Sequence, residues 1–567
     1  MLEAQASAPT RERALRAAAP VAIPLAIALA ITAIAQRWSG LDTPDSSFYA
    51  TLALFGDEVT DRAPFTSYYW TRLGYIAPVG LLTNLLGAFP GFLAYKFLLT
   101  SAISVSAFLT IRRHTRTWIA AWLTAGVVTS SVILSYLGNS YLTGSVLAGT
   151  AILIALASTD KHPLASAALA GTTMGWLVMV NPPGVLLAGT IWLILAFHTF
   201  KTNSDVPFVK QLALATATTI GAFAAFLAIG RLIFPEMNWF ATYLDAQQIT
   251  LSNFSSPTAV WLQDISLLVP AAVVIITVTN WATARASIAA QQALIISASS
   301  AAFMLVFNPM MGGIALEASI YQSMLWPPAL IALGLSAASR MDDNVSSSRI
   351  PMIVAILGIV AIIAAGYVAP GIDFAIGLGL AIITTLVVVL SPRITTATII
   401  TVSTFLASAQ LLQNSRDDLG LYYLSPYHWA YASNPVEDKV RTAIESQEWL
   451  LGNTTNQDRI LLWVDGAWTR GDRELYVAAG MQLWGENRVT LEPTLTDEYG
   501  LAQVQSVKPT VLALYGKSMD SIMTFWESIP SQNDPTAPEC VEYPWPADPS
   551  SDFPTTQGLT CLTELQW

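Results

Sequence analysis

The sequence predicts a polytopic α-helical membrane protein of about 13 spans, with its N-terminus inside and a small α/β domain outside. Three observations carry this. Hydrophobic residues make up 53% of the 567 and charged residues only 11%, and the mean hydropathy is +0.51, well above that of an ordinary globular mixture. Apolar stretches of the length a bilayer core requires, about 20 residues, recur from Pro20 to about Leu412. Arg and Lys gather in alternate connections between those stretches.

Taken in order, the chain begins MLEAQASAPTRERALRAAAP and continues into VAIPLAIALAITAIAQ. Ala33-Ile34-Ala35 has the small-x-small pattern of a signal cleavage site. The segment is read instead as an uncleaved first helix, because many spans follow and a removable leader is unnecessary. The candidate spans are 18–36, 91–111, 117–137, 141–158, 164–181, 183–200, 211–234, 264–281, 287–307, 320–338, 350–369, 373–390 and 394–412. Asn181-Pro182-Pro183-Gly184 divides the fifth from the sixth.

The basic residues then orient the threading. Arg11, Arg13 and Arg16 precede the first span, Arg112, Arg113 and Arg116 follow the second, Lys161 follows the fourth, and Lys201 and Lys210 follow the sixth. Arg285, Arg340, Arg349 and Arg393 continue the series on the same side. By the positive-inside rule that side is cytoplasmic. The loops 37–87, 235–263 and 308–319 and everything after the last span therefore fall on the opposite face, in a multi-pass protein of the cell membrane.

The first outer loop, 37–87, holds Asp42, Asp45, Asp57, Glu58 and Asp61 beside Arg37, Arg62 and Arg72, with Tyr49, Tyr68, Tyr69 and Trp70 interleaved. Within it, 46–55 and 68–86 have the mixed apolar spacing of short helices lying at the interface. No internal repeat is evident, which counts against the duplicated halves of many transporters.

From Asn414 onward the composition changes. The membrane half, 1–413, has nearly balanced charge, whereas 414–567 carries 9 Lys+Arg against 22 Asp+Glu. So acidic a tail lacks the basic face that nucleic-acid binding requires. The chain's two cysteines, Cys540 and Cys561, both lie here and read as a disulfide in an oxidising compartment. Strand-like runs at 459–465, 487–493 and 510–516 alternate with helical ones, the rhythm of a small α/β domain. The domain's many aromatics read either as core or as a sugar-binding surface.

The first outer loop also carries a motif. An Asp directly after the first span with a Tyr four residues on, as in Asp45-Ser46-Ser47-Phe48-Tyr49, resembles the first-loop motif of the GT-C glycosyltransferases. The resemblance is to the branch containing protein O-mannosyltransferases and lipid A aminoarabinose transferases. Arg62-Ala63-Pro64, Tyr69-Trp70 and a short helix ending at Leu85-Leu86-Gly87 are similar to the basic residue, prolines, Tyr-Trp pair and Gly-terminated helix of that branch. This chain departs from it in having Ser46 after the Asp and a longer Pro-to-Tyr-Trp spacing.

The resemblance implies transfer of a sugar, with inversion, from a polyprenyl-phosphate donor to an extracytoplasmic glycan, lipid or protein. Such a transfer needs a carboxylate to take the acceptor's proton and cations to hold the phosphate leaving group. Asp45 is the candidate base and Asp42 the runner-up; the competing role for either is to cap the interfacial helix. Tyr49, Tyr69 and Trp70 are candidate substrate contacts. Arg62, Arg72 and Arg231 are candidate phosphate ligands, since guanidinium binds phosphate in a bidentate fork. Arg231 in AFLAIGRLIFP is equally readable as a charge snorkelling to headgroups.

Glu317 is either an acceptor-orienting group or a solvated one. Lys96, inside the second span, either pairs with a carboxylate or snorkels, and His428 reads as an interfacial belt residue. The branch also leads one to expect a second acidic residue in the next outer connection. Ser135 to Gly144 has none, so no resident metal or other cofactor is assigned and the expected chemistry is metal-independent or weakly metal-assisted. A non-catalytic scaffold or a transporter of envelope components is the alternative reading.

Overall fold

The computed structural model describes residues 22–30, 32, 49–50, 52–54, 70–128, 133, 137, 142–159, 161–203, 206–233, 235, 238–253, 277, 281, 287–310, 323–339, 449–455, 457–464, 488–491, 497–516, 518–529, 537–545 and 556–565. The membrane half is a helical bundle. Its elements are α1 (Leu73–Leu86), α2 (Ala88–Arg112), α3 (Thr117–Val128), α4 (Thr143–Ala157), α5 (Pro163–Val180), α6 (Pro182–Asn203), α7 (Phe208–Ile233), α8 (Trp239–Asn253), α9 (Ile288–Met310) and α10 (Trp326–Ser339).

Among the described residues four helices are long and apolar enough to cross a membrane: Pro90–Arg112, Pro163–Val180, Pro182–Thr202 and Phe208–Leu232. They match the second, fifth, sixth and seventh expected spans. Asn181 does separate α5 from α6: its backbone is extended (φ −157°), and Pro182 opens the next helix. The candidate spans 350–369, 373–390 and 394–412 lie outside the described residues. Helix α8 lies within 235–263, where the sequence suggests a plain outer loop.

Two glycine features set the packing. Gly87 separates α1 from α2 at φ 94°, ψ 165°, a conformation essentially confined to glycine, so the chain reverses there without a longer loop. Gly171 and Gly175, one turn apart on α5, let α7 approach closely. A Cβ at Gly175 would meet Ala222 Cβ and Thr219 O, each at 2.6 Å. Small residues at four-residue spacing are the usual means of bringing helix backbones together in lipid. Helix α2 is central, with 61% of its apolar window buried, while α7, at 6%, is the least buried of the four long helices.

The tail contains a five-stranded sheet in the order β2-β1-β3-β5-β4, formed by β1 (Arg459–Val464), β2 (Arg488–Leu491), β3 (Val511–Gly516), β4 (Glu539–Trp545) and β5 (Thr556–Glu564). β1 pairs in parallel with β2 and β3, while β5 pairs antiparallel with β3 and β4. Helices α11 (Asp497–Val507) and α12 (Met519–Glu527) follow β2 and β3.

The strands' period of two sorts their side chains to opposite faces. Ile460, Leu462, Val511 and Ala513 join the same apolar cluster as the helical bundle. Leu461, Trp463, Leu512 and Leu514 pack with Ile522 and Phe525 of α12, and Trp463 stacks on Phe525 at 4.2 Å. These two aromatics are core. Cys540 and Cys561 stand opposite each other on β4 and β5 and are bonded.

Candidate functional site

The residues just after the first-loop motif are drawn into the bundle. Tyr49 is 1% exposed and Trp70 2%, and both belong to the main apolar cluster. Arg72 caps the start of α1: its carbonyl accepts the N–H groups of Tyr75 at 2.9 Å and Ile76 at 3.1 Å. Its side chain is 5% exposed, an unusual burial for an arginine and a sign that its charge is used inside the protein.

Around these residues lies a set of phenol rings. Tyr75 packs edge-on against Tyr49 at 6.1 Å and against Tyr95 of α2 at 5.6 Å. The Tyr95 hydroxyl hydrogen-bonds Ser145 Oγ of α4 at 2.7 Å. Tyr75 Oη is buried with no hydrogen-bond partner among the described residues. A buried hydroxyl of this kind is costly, and binding sites are where such groups find a partner. Lys96, next to Tyr95, is 1% exposed. Its ammonium is therefore held within the protein and does not snorkel to water.

From the connection that follows α7, Tyr243 of α8 completes the patch. Its hydroxyl donates to Val178 O at 3.2 Å, and its ring packs edge-on against Phe223 of α7 at 5.4 Å. Burial raises the Tyr243 pKa, and the Arg72 charge acts in the opposite direction, which places guanidinium and phenol within electrostatic reach of each other. Trp176 Nε1 donates to Gly74 O at 2.7 Å, tying α5 to the start of α1. The patch thus unites Tyr49, Trp70, Arg72, Tyr75, Tyr95 and Tyr243 at one end of the bundle.

Asp42, Asp45, Arg62, Tyr69, Glu317 and His428 are outside the described residues. Arg231 is exposed in the last turn of α7, although its neighbour Gly230 packs on Leu73 and Trp239. Tyr75, Tyr95, Ser145 and Tyr243 are site residues that sequence reasoning misses. The one signal pointing to them is the Tyr95-Lys96 pair within an otherwise apolar span, where the lysine alone stands out. Among the described residues no three His, Cys, Asp or Glu side chains gather as metal ligands would.

Fold and site together define a polytopic helical membrane protein with a buried aromatic and cationic patch at one end of its bundle. No family model matches the chain, and no curated protein matches it. Two crystal structures of ArnT from Cupriavidus metallidurans are similar to it in structure. The one bound to undecaprenyl phosphate aligns at 14% identity and TM-score 0.48, the apo form at 13% and 0.49, each over 95% of this chain and 97% of that chain. At those values the likeness concerns the path of the chain only.

Proposed function

We propose that this protein is a membrane glycosyltransferase that moves a sugar, with inversion, from a polyprenyl-phosphate donor to an extracytoplasmic acceptor. One observation carries the reading: Tyr49, which ends the Asp45-x-x-x-Tyr49 motif, is buried in one apolar cluster with Trp70 and Tyr75, and Arg72, two residues after Trp70, is buried as well. Tyr49 and Trp70, which lie apart in the sequence of the first loop, belong to one buried cluster. A lipid-linked donor suits such a place, because its lipid stays in the bilayer while phosphate and sugar enter at the helix ends.

In this reading Arg72, with Arg62, neutralises the phosphate as it leaves, a role that needs fixed positive charge in a low-dielectric site. Asp45 takes the acceptor's hydroxyl proton while the acceptor oxygen attacks the anomeric carbon from the face opposite the phosphate. The Tyr75 hydroxyl is available to hydrogen-bond the sugar. The tail is extracytoplasmic, in keeping with its disulfide.

The test is to incubate the purified full chain with a panel of labelled polyprenyl-phosphate sugars and membrane acceptors. At least one donor should be consumed. Asp45→Asn should lower turnover about 10²- to 10⁴-fold, as loss of a general base does, with the thermal unfolding profile unchanged. If Asp42→Asn is the damaging change, the base is Asp42. If neither variant loses activity, or no donor is turned over, the glycosyltransferase reading fails.

A further inference from the structure

Helix α8 follows α7 after a short connection and packs back on it. A Cβ at Gly230, in the last turn of α7, would lie 2.7 Å from the Trp239 ring, so the first turn of α8 touches the end of a helix long and apolar enough to cross a membrane. One turn on, the Tyr243 ring meets Phe223, about three turns before α7 ends. The Tyr243 hydroxyl donates to Val178 O in the last turn of α5, a second helix of that length. These contacts fix α8 at the level where two such helices end.

The side chains of α8 divide by direction. Trp239, 4% exposed, Tyr243, 8%, and Ala246, 1%, recur at the spacing of one helical face and form the side packed on the bundle. Phe240, 56% exposed, and Leu244, 52%, are one turn apart on a strip about 120° round the helix from that side. Asp245, also exposed, lies about 120° round in the other direction. One flank of the helix is therefore apolar and the opposite flank acidic. In the turn of α7 that Trp239 touches, Ile229 and Leu232 on either side of Gly230 are exposed as well, at 40% and 84%.

We infer that α8 lies in the headgroup–acyl boundary of the bilayer at this end of the bundle, with Phe240 and Leu244 among phospholipid acyl chains and Asp245 in water. Apolar and charged strips on separate flanks are the make-up of a helix lying in that boundary. Lipid is the occupant because the strip belongs to a helix fixed beside the ends of α5 and α7, where acyl chains are the adjoining medium for exposed apolar side chains. The assignment does not rest on the glycosyltransferase reading. It makes α8 a wall with protein on one side, where Tyr243 joins the tyrosine patch, and lipid on a flank.

The experiment places a nitroxide label through Phe240→Cys, Leu244→Cys or Asp245→Cys in the full chain, reconstituted in phosphatidylcholine vesicles. Spin-relaxation measurements then compare collisions with oxygen, which concentrates among acyl chains, and with a water-soluble nickel chelate. Oxygen should lead several-fold for the first two labels, and the chelate should lead for the third. All three positions are exposed; if one of the apolar pair does not fold when labelled, the other decides. A chelate that reaches all three labels equally would put α8 in water and overturn the inference. Labels at the apolar pair shielded from both reagents would show a protein surface there, a second copy or another chain, and overturn the lipid assignment. Oxygen leading at all three would place Asp245 in lipid and overturn the orientation.

Discussion

Arg72 does two jobs at one position: its carbonyl starts α1, and its buried guanidinium faces the phenol patch. Replacing it by Lys keeps the charge and the backbone bonds but removes the planar fork. On the proposed reading, Arg72→Lys leaves the unfolding temperature close to normal and lowers transfer about 10²- to 10³-fold, the usual loss when one stabilising donor is removed. Steady-state kinetics on the folded variant checks this, and unchanged transfer would remove Arg72 from the site. A second residue, His114, sets a pH dependence at the opposite end. Its Nε2 donates to Gln292 Oε1 at 3.0 Å and joins the end of α2 to α9. Burial lowers the His114 pKa, the Gln292 bond opposes that, and the Arg113 charge adds to it. With the folded value below the unfolded one, the neutral ring's contribution is present above about pH 6.5 and is lost as pH falls through the lower folded value. The unfolding temperature should drop over that acid range, and less steeply in His114→Gln; equal slopes would place the relevant proton elsewhere.

At the scale of elements, the α5–α7 pair depends on the absence of side chains at Gly171 and Gly175. Gly175→Leu would push into Ala222 and the Thr219 carbonyl. Overpacking of this kind costs about 1–3 kcal/mol, so the variant should unfold at lower temperature, whereas Gly221→Leu, whose Cβ would meet nothing within 4 Å, should be tolerated. Comparing their unfolding curves decides it. Much of this level is legible in the sequence. Asn181-Pro182-Pro183 marks a real break, and RILLWV, RVTL and VLALYG are strands where their β-branched and apolar runs suggest them. β4 and β5 escape such a reading because ECVEYPW contains a proline and TQGLTCLTE mixes Gln, Gly and Thr, so neither shows a hydrophobic period. Yet β5 is an inner strand with Thr560 and Thr563 buried, at home there because a β-branched side chain fits a pleated surface. The candidate site is legible as a loop but not as a place. Tyr75 and Tyr95 read as ordinary members of apolar helices, and only the packing of α1 on α2 brings their rings together.

At the scale of the whole molecule, the contacts sort the described helix ends into two sets. Tyr95–Ser145, Trp176–Gly74 and Tyr243–Val178 meet at one end. Arg113–Thr159, His114–Gln292 and His198–Gln291 meet at the other. The threading assigns the first set to the outside and the second to the cytoplasm. The expected outcome is that thiol labels reach a cysteine placed at Gln457 in the tail from outside intact cells, and reach one placed at Lys161 only after permeabilisation. The reverse pattern would invert the topology and move the tyrosine patch away from extracytoplasmic acceptors. The bond between Cys540 and Cys561 bears directly on how that map is made. The sequence holds two cysteines and the structure joins them, so the oxidised chain offers no thiol of its own. Every maleimide signal then belongs to the introduced residue, and the unaltered protein serves as its own silent background until a reductant is added.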